Sequence, residues 1–229
     1  MSMKNLVSKV VTFNDLKRSL RAYLNLGITE VESKKPRHIS YEKQLNTLKQ
    51  EVLGCQKCPL HRGKKNYVFG EGNPKATLMF VGEAPGFYED QQGKPFVGKA
   101  GQMLTKIIKA MGFERKDVYI ANILKCRPPD NRNPQQDEME ACFPFLNRQV
   151  KLINPEVICA LGKFAAQKLT GSNLTISNLR GKLFYYESKK LIPTFHPSYL
   201  LRSPRCKRET WEDMKMILKI LGKDIKSHG

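Results

Sequence analysis

No run of 18 apolar residues occurs in the chain, so a transmembrane helix, which needs about 20 such residues to cross hydrocarbon, is not expected. The first twenty residues, MSMKNLVSKVVTFNDLKRSL, offer neither the apolar core of a secretory signal nor its small-residue cleavage site. An intracellular, cytoplasmic protein that does not engage membrane is therefore expected. No GxxxxGK[ST] loop is present, and Gly70-Glu71-Gly72 precedes a strand instead of following one and lacks the third glycine. Both omissions argue against a bound nucleotide cofactor. Acidic residues are few: 21 Asp and Glu stand against 40 Lys and Arg, for a net charge of +19. Such an excess is the footprint of a polyanion binder, with nucleic acid as the default partner, and it would associate the chain with the nucleoid. The competing readings are a basic protein without a dedicated partner and attraction to anionic membrane, although no basic amphipathic membrane helix stands out. Six cysteines in a reducing compartment point away from disulfides and toward a metal site or buried thiols.

What is present is an alternation of apolar strands and helices in a chain of 229 residues, long enough to bury a substantial core. Residues 1–40 read as an extension. Phe13, Leu16, Leu20, Tyr23 and Leu24 recur at helical spacing up to Gly27, and a charged, proline-interrupted linker, Glu32–Arg37, follows. A second amphipathic helix from about Ser40 places Leu45, Leu48 and Val52 on one face and ends at Gly54. Leu78–Val81, Val118–Leu124, Val157–Leu161 and Leu191–Phe195 are runs of the buried-strand kind. Helices are expected over Gly98–Met111, after Asn133-Pro134 as cap and first-turn proline, after Gly162, and through Trp211–Leu221. Residues 174–190 suggest irregular structure or short surface strands. No internal repeat is visible. Four apolar strands separated by helices indicate an α/β fold, a parallel sheet covered on both faces. The domain should run from 41 to 222, with 223–229 as a tail.

In such a sheet the strand C-termini share one edge, where ligands bind. That edge carries Gly82–Gly86, Asn122, Gly162 and His196–Ser198. Asn122 interrupts an apolar strand, and its amide could either read the polar edge of a base or tie down a neighbouring loop. Phe96 follows Lys94-Pro95 in a polar, glycine-rich loop and could stack on a planar base. His196, ahead of a proline at a strand end, is a candidate for chemistry or an ordinary structural histidine. Tyr199-Leu200-Leu201 beside Arg202, Arg205, Lys207 and Arg208 could be an apolar wedge flanked by phosphate contacts, or leucines packed beneath a loop. Cys55-Gln-Lys-Cys58 is half of a metal site. Cys126 and Cys142 could complete four thiolates or be buried small residues, and thiolate count does not separate zinc from iron–sulfur. Cys159 fits a buried strand position, and Cys206 falls in a basic segment that reads as surface.

Taken together, GEAPGFYED, GKPFVGKAG, NILKCRPPDNRNP and HPSYLLR, with four cysteines so placed, closely resemble the family 4 uracil-DNA glycosylases, from about Leu53 to Leu221. The resemblance implies a three-layer α/β/α sandwich around a four-stranded parallel sheet, and a [4Fe–4S] cluster on Cys55, Cys58, Cys126 and Cys142. It implies base-excision repair by a monomer acting on uracil-containing DNA, with the uridine flipped out of the stack. Leu200 would fill the gap and Arg202 would contact DNA. Phe96 would stack on uracil and Asn122 would read its edge, with Gly82, Ala84 and Ser198 completing the substrate site. Glu89 would crowd C5 against the thymine methyl, and His196 would stabilise charge on O2 with help from backbone N–H groups of Gly82–Ala84.

The chain also departs from the wider superfamily. Many relatives place a water-activating Asp or Asn where Ala84 stands, so Glu83 or Glu89 is the remaining candidate to hold water, unless an early-departing uracil needs little base. Three rivals stay open at this level: a uracil-trapping relative, disfavoured because Cys126–Pro134 contains no histidine; a non-catalytic DNA-binding module; and a zinc-bound structural protein.

Overall fold

The computed structural model describes residues 41–223, together with Lys17, Arg18, Arg21, Ala22 and Asn25. The chain divides into two units, residues 1–39 and 40–229, and all elements named below belong to the second. Within the helix expected on Phe13–Leu24, Lys17, Arg18, Arg21 and Ala22 are helical; its apolar residues Phe13, Leu16, Leu20, Tyr23 and Leu24, the linker Glu32–Arg37 and the tail after Lys223 lie outside the described residues.

In chain order the elements are α1 (Tyr41–Leu53), β1 (Glu71–Gly72), β2 (Leu78–Gly82), α2 (Phe87–Gln92), α3 (Lys99–Ala110), β3 (Tyr119–Asn122), α4 (Gln136–Ile153), β4 (Val157–Leu161), α5 (Lys163–Thr170), α6 (Ile176–Leu179), β5 (Phe184–Tyr186), β6 (Lys189–Thr194), α7 (Pro197–Arg202) and α8 (Lys207–Ile220). One sheet runs β1-β3-β2-β4-β6-β5. The pairings β3·β2, β2·β4 and β4·β6 are parallel, whereas β1 and β5 join antiparallel at the two edges. The expected four-stranded parallel sheet is thus the centre of a six-stranded mixed one. β1 escaped the sequence reading because its two residues carry no apolar run, whereas β5 falls within 174–190, the stretch read as irregular structure or short surface strands.

Alternation along the strands builds the layers. Met79, Val81, Ala121, Ile158, Ala160 and Leu191 point to one face, where they pack with Leu48 and Val52 of α1, Phe145, Leu146 and Val150 of α4, and Ala165 and Leu169 of α5. Leu78, Phe80, Ile120, Val157, Cys159 and Ile192 point to the other, against Leu104 and Ile108 of α3 and Met214, Ile217 and Leu218 of α8. The register Met79↔Ile158↔Leu191 keeps each row on its own side. Two apolar faces require two helix layers, and the α/β/α sandwich follows. Among the described residues no helix is long and apolar enough to cross a membrane.

One helix begins later than its proline suggests. Asn133 is not the cap of α4; Gln135 is, in a reciprocal capping box with Glu138. Glu138 also receives a fork from Arg132, and this buried carboxylate outcompetes the shorter amide for the helix start.

The strand that ends just before His196 is anchored from behind. Asp213 of α8, fully buried, accepts bonds from Thr194 Oγ1 of β6 at 2.6 Å and from Arg180 Nη2 at 2.7 Å and Nε at 3.0 Å. Removing one partner of a buried, fully bonded ion pair typically costs about 3–5 kcal/mol. Asp213→Ala should lower stability by about that amount in denaturant unfolding.

Candidate active site

The C-terminal ends of β2, β3, β4 and β6 open into a cavity of about 550 Å³. The strand order places it where the chain, having moved from β2 out to β3, crosses back to β4, the switch point at which parallel sheets leave a crevice. Glu83, Ala84, Glu89, Phe96, Asn122, His196, Ser198 and Arg202 all line it. Eight residues singled out in sequence therefore converge on one space.

Gly82 sets the width of the floor. A Cβ built there would lie 2.4 Å from Asn122 Oδ1 and 2.6 Å from Phe96 Cζ, so only glycine lets the amide and the ring approach from either side. Asn122, paired in register with Gly82, is 2% exposed. Its Oδ1 is one of two buried side-chain oxygens without a hydrogen-bond partner among the described residues, the other being Asn147 Oδ1. Buried acceptors are almost always satisfied; this one waits at the base of a cavity. Phe96 is 6% exposed, with its ring centroid 5.6 Å from that of His196. Its φ is +52°, a left-handed conformation that a bulky residue adopts only when its surroundings impose it.

His196 caps α7. Ser198 N–H donates to its Nδ1 at 3.2 Å, and Ser198 Oγ lies 2.7 Å from the same nitrogen. With Nδ1 accepting, a neutral ring carries its proton on Nε2. Burial, aided by the Arg202 charge and opposed by Glu89, pushes the His196 pKa down to about 4, so the ring is neutral at pH 7. Burial also pushes Glu83 up to about 7. Glu89 is tied more firmly: its Oε1 accepts Val97 N–H at 2.8 Å and Gly98 N–H at 2.9 Å, just ahead of α3. Its carboxylate is therefore a fixed wall of the cavity. The carbonyls of Gly82 and Glu83 are taken by Ile123 and Leu124 N–H.

The expectation for Leu200 is corrected. It is 1% exposed and packs with Phe195 and Cys206, because a helical turn directs one of two adjacent leucines inward. The exposed apolar side chains of α7 are Leu201 at 43% and Tyr199 at 36%. Arg202 is exposed. Cys206, read as a surface residue, is buried in the same small cluster.

Cys55, Cys58, Cys126 and Cys142 line one smaller cavity with Tyr67 and Lys125. Burial, reinforced by neighbouring thiols of the set, pushes Cys126 up to about 12 and Cys142 up to about 11. Four thiols held together in apolar surroundings resist ionising unless a cation shares the space, and Lys125 N–H already points at Cys142 Sγ from 3.3 Å. Among the described residues no three His, Cys, Asp or Glu converge as ligands of a single metal ion. Four cysteines lining one cavity are nevertheless a donor set of the kind that holds a thiolate-bound metal centre. Lys125 itself, 1% exposed, donates from Nζ to Asn122 O at 2.7 Å and to Gln149 Oε1 at 2.6 Å. It joins the cysteine cavity to the strand end that carries Asn122. Burial pushes its pKa down to about 8. Sequence reasoning missed it because a lysine reads as surface. The same reasoning missed Arg132, Lys163 and Ser177 on the cavity wall, where only the position after a strand end could have flagged Lys163.

The sequence that builds this site has counterparts in known proteins. A family model described as the uracil DNA glycosylase superfamily matches residues 69–215. Over 189 residues the chain is 44% identical to a type-4 uracil-DNA glycosylase of Archaeoglobus fulgidus, spanning 79% of this chain and 95% of that one. It is 44% identical over 187 residues to a type-4 enzyme of Thermotoga maritima (80% and 97% covered). With one from Sulfurisphaera tokodaii it shares 46% over 182 residues (76% and 83%). With a family model matched over most of the chain and relatives of 44–46% identity covered over most of their length, the chain belongs to the type-4 branch of the uracil DNA glycosylase superfamily.

Proposed function

We propose that this chain removes uracil from DNA by hydrolysing the N-glycosidic bond, leaving an abasic site for repair. The observation that carries the reading is the unpartnered Asn122 Oδ1 at the floor of a cavity walled by Phe96 and a neutral His196. Uracil presents an N3–H donor beside two carbonyl acceptors. Asn122 accepts the N3–H and its amide N–H donates to O4, so one side chain reads both groups. Phe96 stacks on the ring. Glu89, held by two backbone N–H groups, stands against C5. A methyl is worth only about 1–3 kcal/mol by packing, so rejection of thymine depends on that wall not yielding.

The deoxyuridine reaches the cavity by flipping out of the stack, at a cost of a few kcal/mol. The apolar side chain available to fill the gap is Leu201, with Tyr199 beside it, in place of Leu200. Arg202, at the cavity rim, and the net charge of +19 draw the phosphates in. As the C1′–N1 bond breaks, its electron pair leaves with uracil, the sugar becomes oxocarbenium-like, and water adds at C1′ with loss of a proton. The Nε2–H of His196 and the backbone N–H groups of Gly82–Ala84 meet the charge growing on O2. Ala84 holds no proton acceptor, and Glu83, with a pKa of about 7, is partly protonated at neutral pH. Stabilisation of the departing anion therefore outweighs general-base help.

The four cysteines suit a [4Fe–4S] cluster, which when bound would cross-link the segment after α1 to β3 and α4. Cys55, Cys58, Cys126 and Cys142 would hold it, and its part is structural. Residues 41–222 form the glycosylase domain of this reading, with 1–40 as an extension and 223–229 as a tail. One chain lines the whole cavity, which supports a monomer as the working unit. The substrate assigns its work to the cell interior, at the nucleoid.

A uracil-containing oligonucleotide treated with the protein and then with alkali should break at the uracil; an intact strand, or product left attached to the protein, would refute the reading. In the same assay His196→Ala should lose about 10²–10³-fold in turnover while DNA affinity holds, because the help arises in the transition state. Glu83→Gln should keep most activity. A Glu83 base would make the rate climb as pH rises through about 7, where the carboxylate form takes over; the expected profile has no Glu83-dependent step there, and a loss beyond about a thousandfold in the Gln variant would count against it. The purified protein should be brown and carry acid-labile sulfide, whereas bound zinc, with its filled d shell, would leave it colourless.

A further inference from the structure

The loop that carries Phe96 is fixed by two opposite charges, and the established motifs account for only one of them. Glu89 Oε1 takes the N–H groups of Val97 and Gly98. On the preceding two residues Arg115 does the complementary work. Its Nη2 donates to Pro95 O at 2.9 Å and its Nη1 to Phe96 O at 3.2 Å, with a further bond of 3.3 Å to Thr105 Oγ1. Four consecutive residues, Pro95 to Gly98, thus have their main-chain polar groups held by one guanidinium and one carboxylate. Arg115 lies in the loop between α3 and β3, 26% exposed, with Glu71 at 3.8 Å on its outer side.

The need for such a hold is visible in the backbone. Phe96 sits at φ +52°, a conformation that costs a bulky residue on the order of 1–3 kcal/mol and persists only where neighbours over-determine it. Gly101 crowds the same peptide from within α3: a Cβ there would lie 1.9 Å from Phe96 O. The fork of Arg115 holds the Phe96 peptide, while bare Gly101 and Gly82 leave room for that peptide and for the ring, whose centroid lies 5.6 Å from that of His196. A planar fork can bind two adjacent carbonyls in fixed geometry, which a lysine ammonium cannot reproduce.

We propose that Arg115 is a positioning residue for base capture: by clamping the Pro95 and Phe96 carbonyls it holds Phe96 in the strained conformation from which its ring stacks on uracil. Arg115 touches neither substrate nor reacting atoms, so its contribution passes wholly through Phe96. The inference rests on the reading of the cavity as a uracil site, and release of uracil by the wild-type chain tests that reading separately.

The test compares Arg115→Gln and Arg115→Lys in the full chain by three readouts: single-turnover excision, inhibition by free uracil, and affinity for an oligonucleotide already carrying an abasic site. Free uracil engages the stacking ring, whereas abasic DNA has no base to stack. Both variants should lose about tenfold or more in excision and in uracil inhibition, in the range that loss of one base–aromatic stack produces, with abasic-site affinity unchanged. Normal behaviour of the Lys variant would overturn the proposal, since charge alone would then suffice. So would unaltered uracil inhibition, or an abasic-site affinity falling in step with the rate, which would mark a general structural role. Should the Gln variant fail to fold, Gly101→Ala carries the same test. It displaces the Phe96 peptide with Arg115 intact, and must weaken uracil inhibition while sparing abasic-site affinity; normal uracil inhibition there would overturn the proposal.

Discussion

The end of β2 has no room for a side chain, and the site depends on that. Asn122 Oδ1 and the Phe96 ring both reach within 3 Å of where a Cβ at position 82 would stand. Without that bare stretch of backbone, the amide and the ring could not face one space. The consequences spread outward along the chain. Phe96 must take a left-handed backbone, its loop must be tied at four successive residues, and the first turn of α3 must carry glycine, Gly101, close behind it. The sandwich supplies the rest by bringing four parallel strand ends to the same edge.

Desolvation then decides the charge state of the cavity. Burial drives the two central titratable groups in opposite pKa directions but toward the same neutral form, His196 down to about 4 and Glu83 up to about 7. Glu89 is held in place by two backbone donors, and Arg202 sets a cation at the rim. An anion forming inside would thus meet aligned neutral donors and a nearby positive edge, with no reorganisation of water required.

Much of this was legible in the sequence. The four central strands were visible as apolar runs because both of their faces are buried, and the edge residues were visible because each interrupts such a run or follows one. Gly82, Asn122 and His196 could be assigned to one place on topology alone, and Phe96 was added as an aromatic in a polar loop and by the family resemblance. What stayed hidden has physical reasons. The strand β1 is two residues long and carries no periodic signal. Lys125 and Arg115 are charges whose partners are main-chain carbonyls, and carbonyls leave no trace in a sequence. Cys206 sits among basic residues yet turns inward. Tyr199-Leu200-Leu201 forms part of a helix six residues long, too short for periodicity to say which leucine is inside.

That same helix bears on the entropy of DNA binding. Leu200, seated against Phe195 and Cys206, fastens α7 to the body of the protein, while Ser198 and His196 lock its first turn. Leu201 is consequently presented on a rigid post. A side chain inserted into a base stack from a mobile loop would first have to lose the loop's freedom, subtracting from affinity. On the reading proposed above, that freedom is surrendered when the chain folds, and an encounter with a distorted duplex would begin with Leu201 already pointing outward.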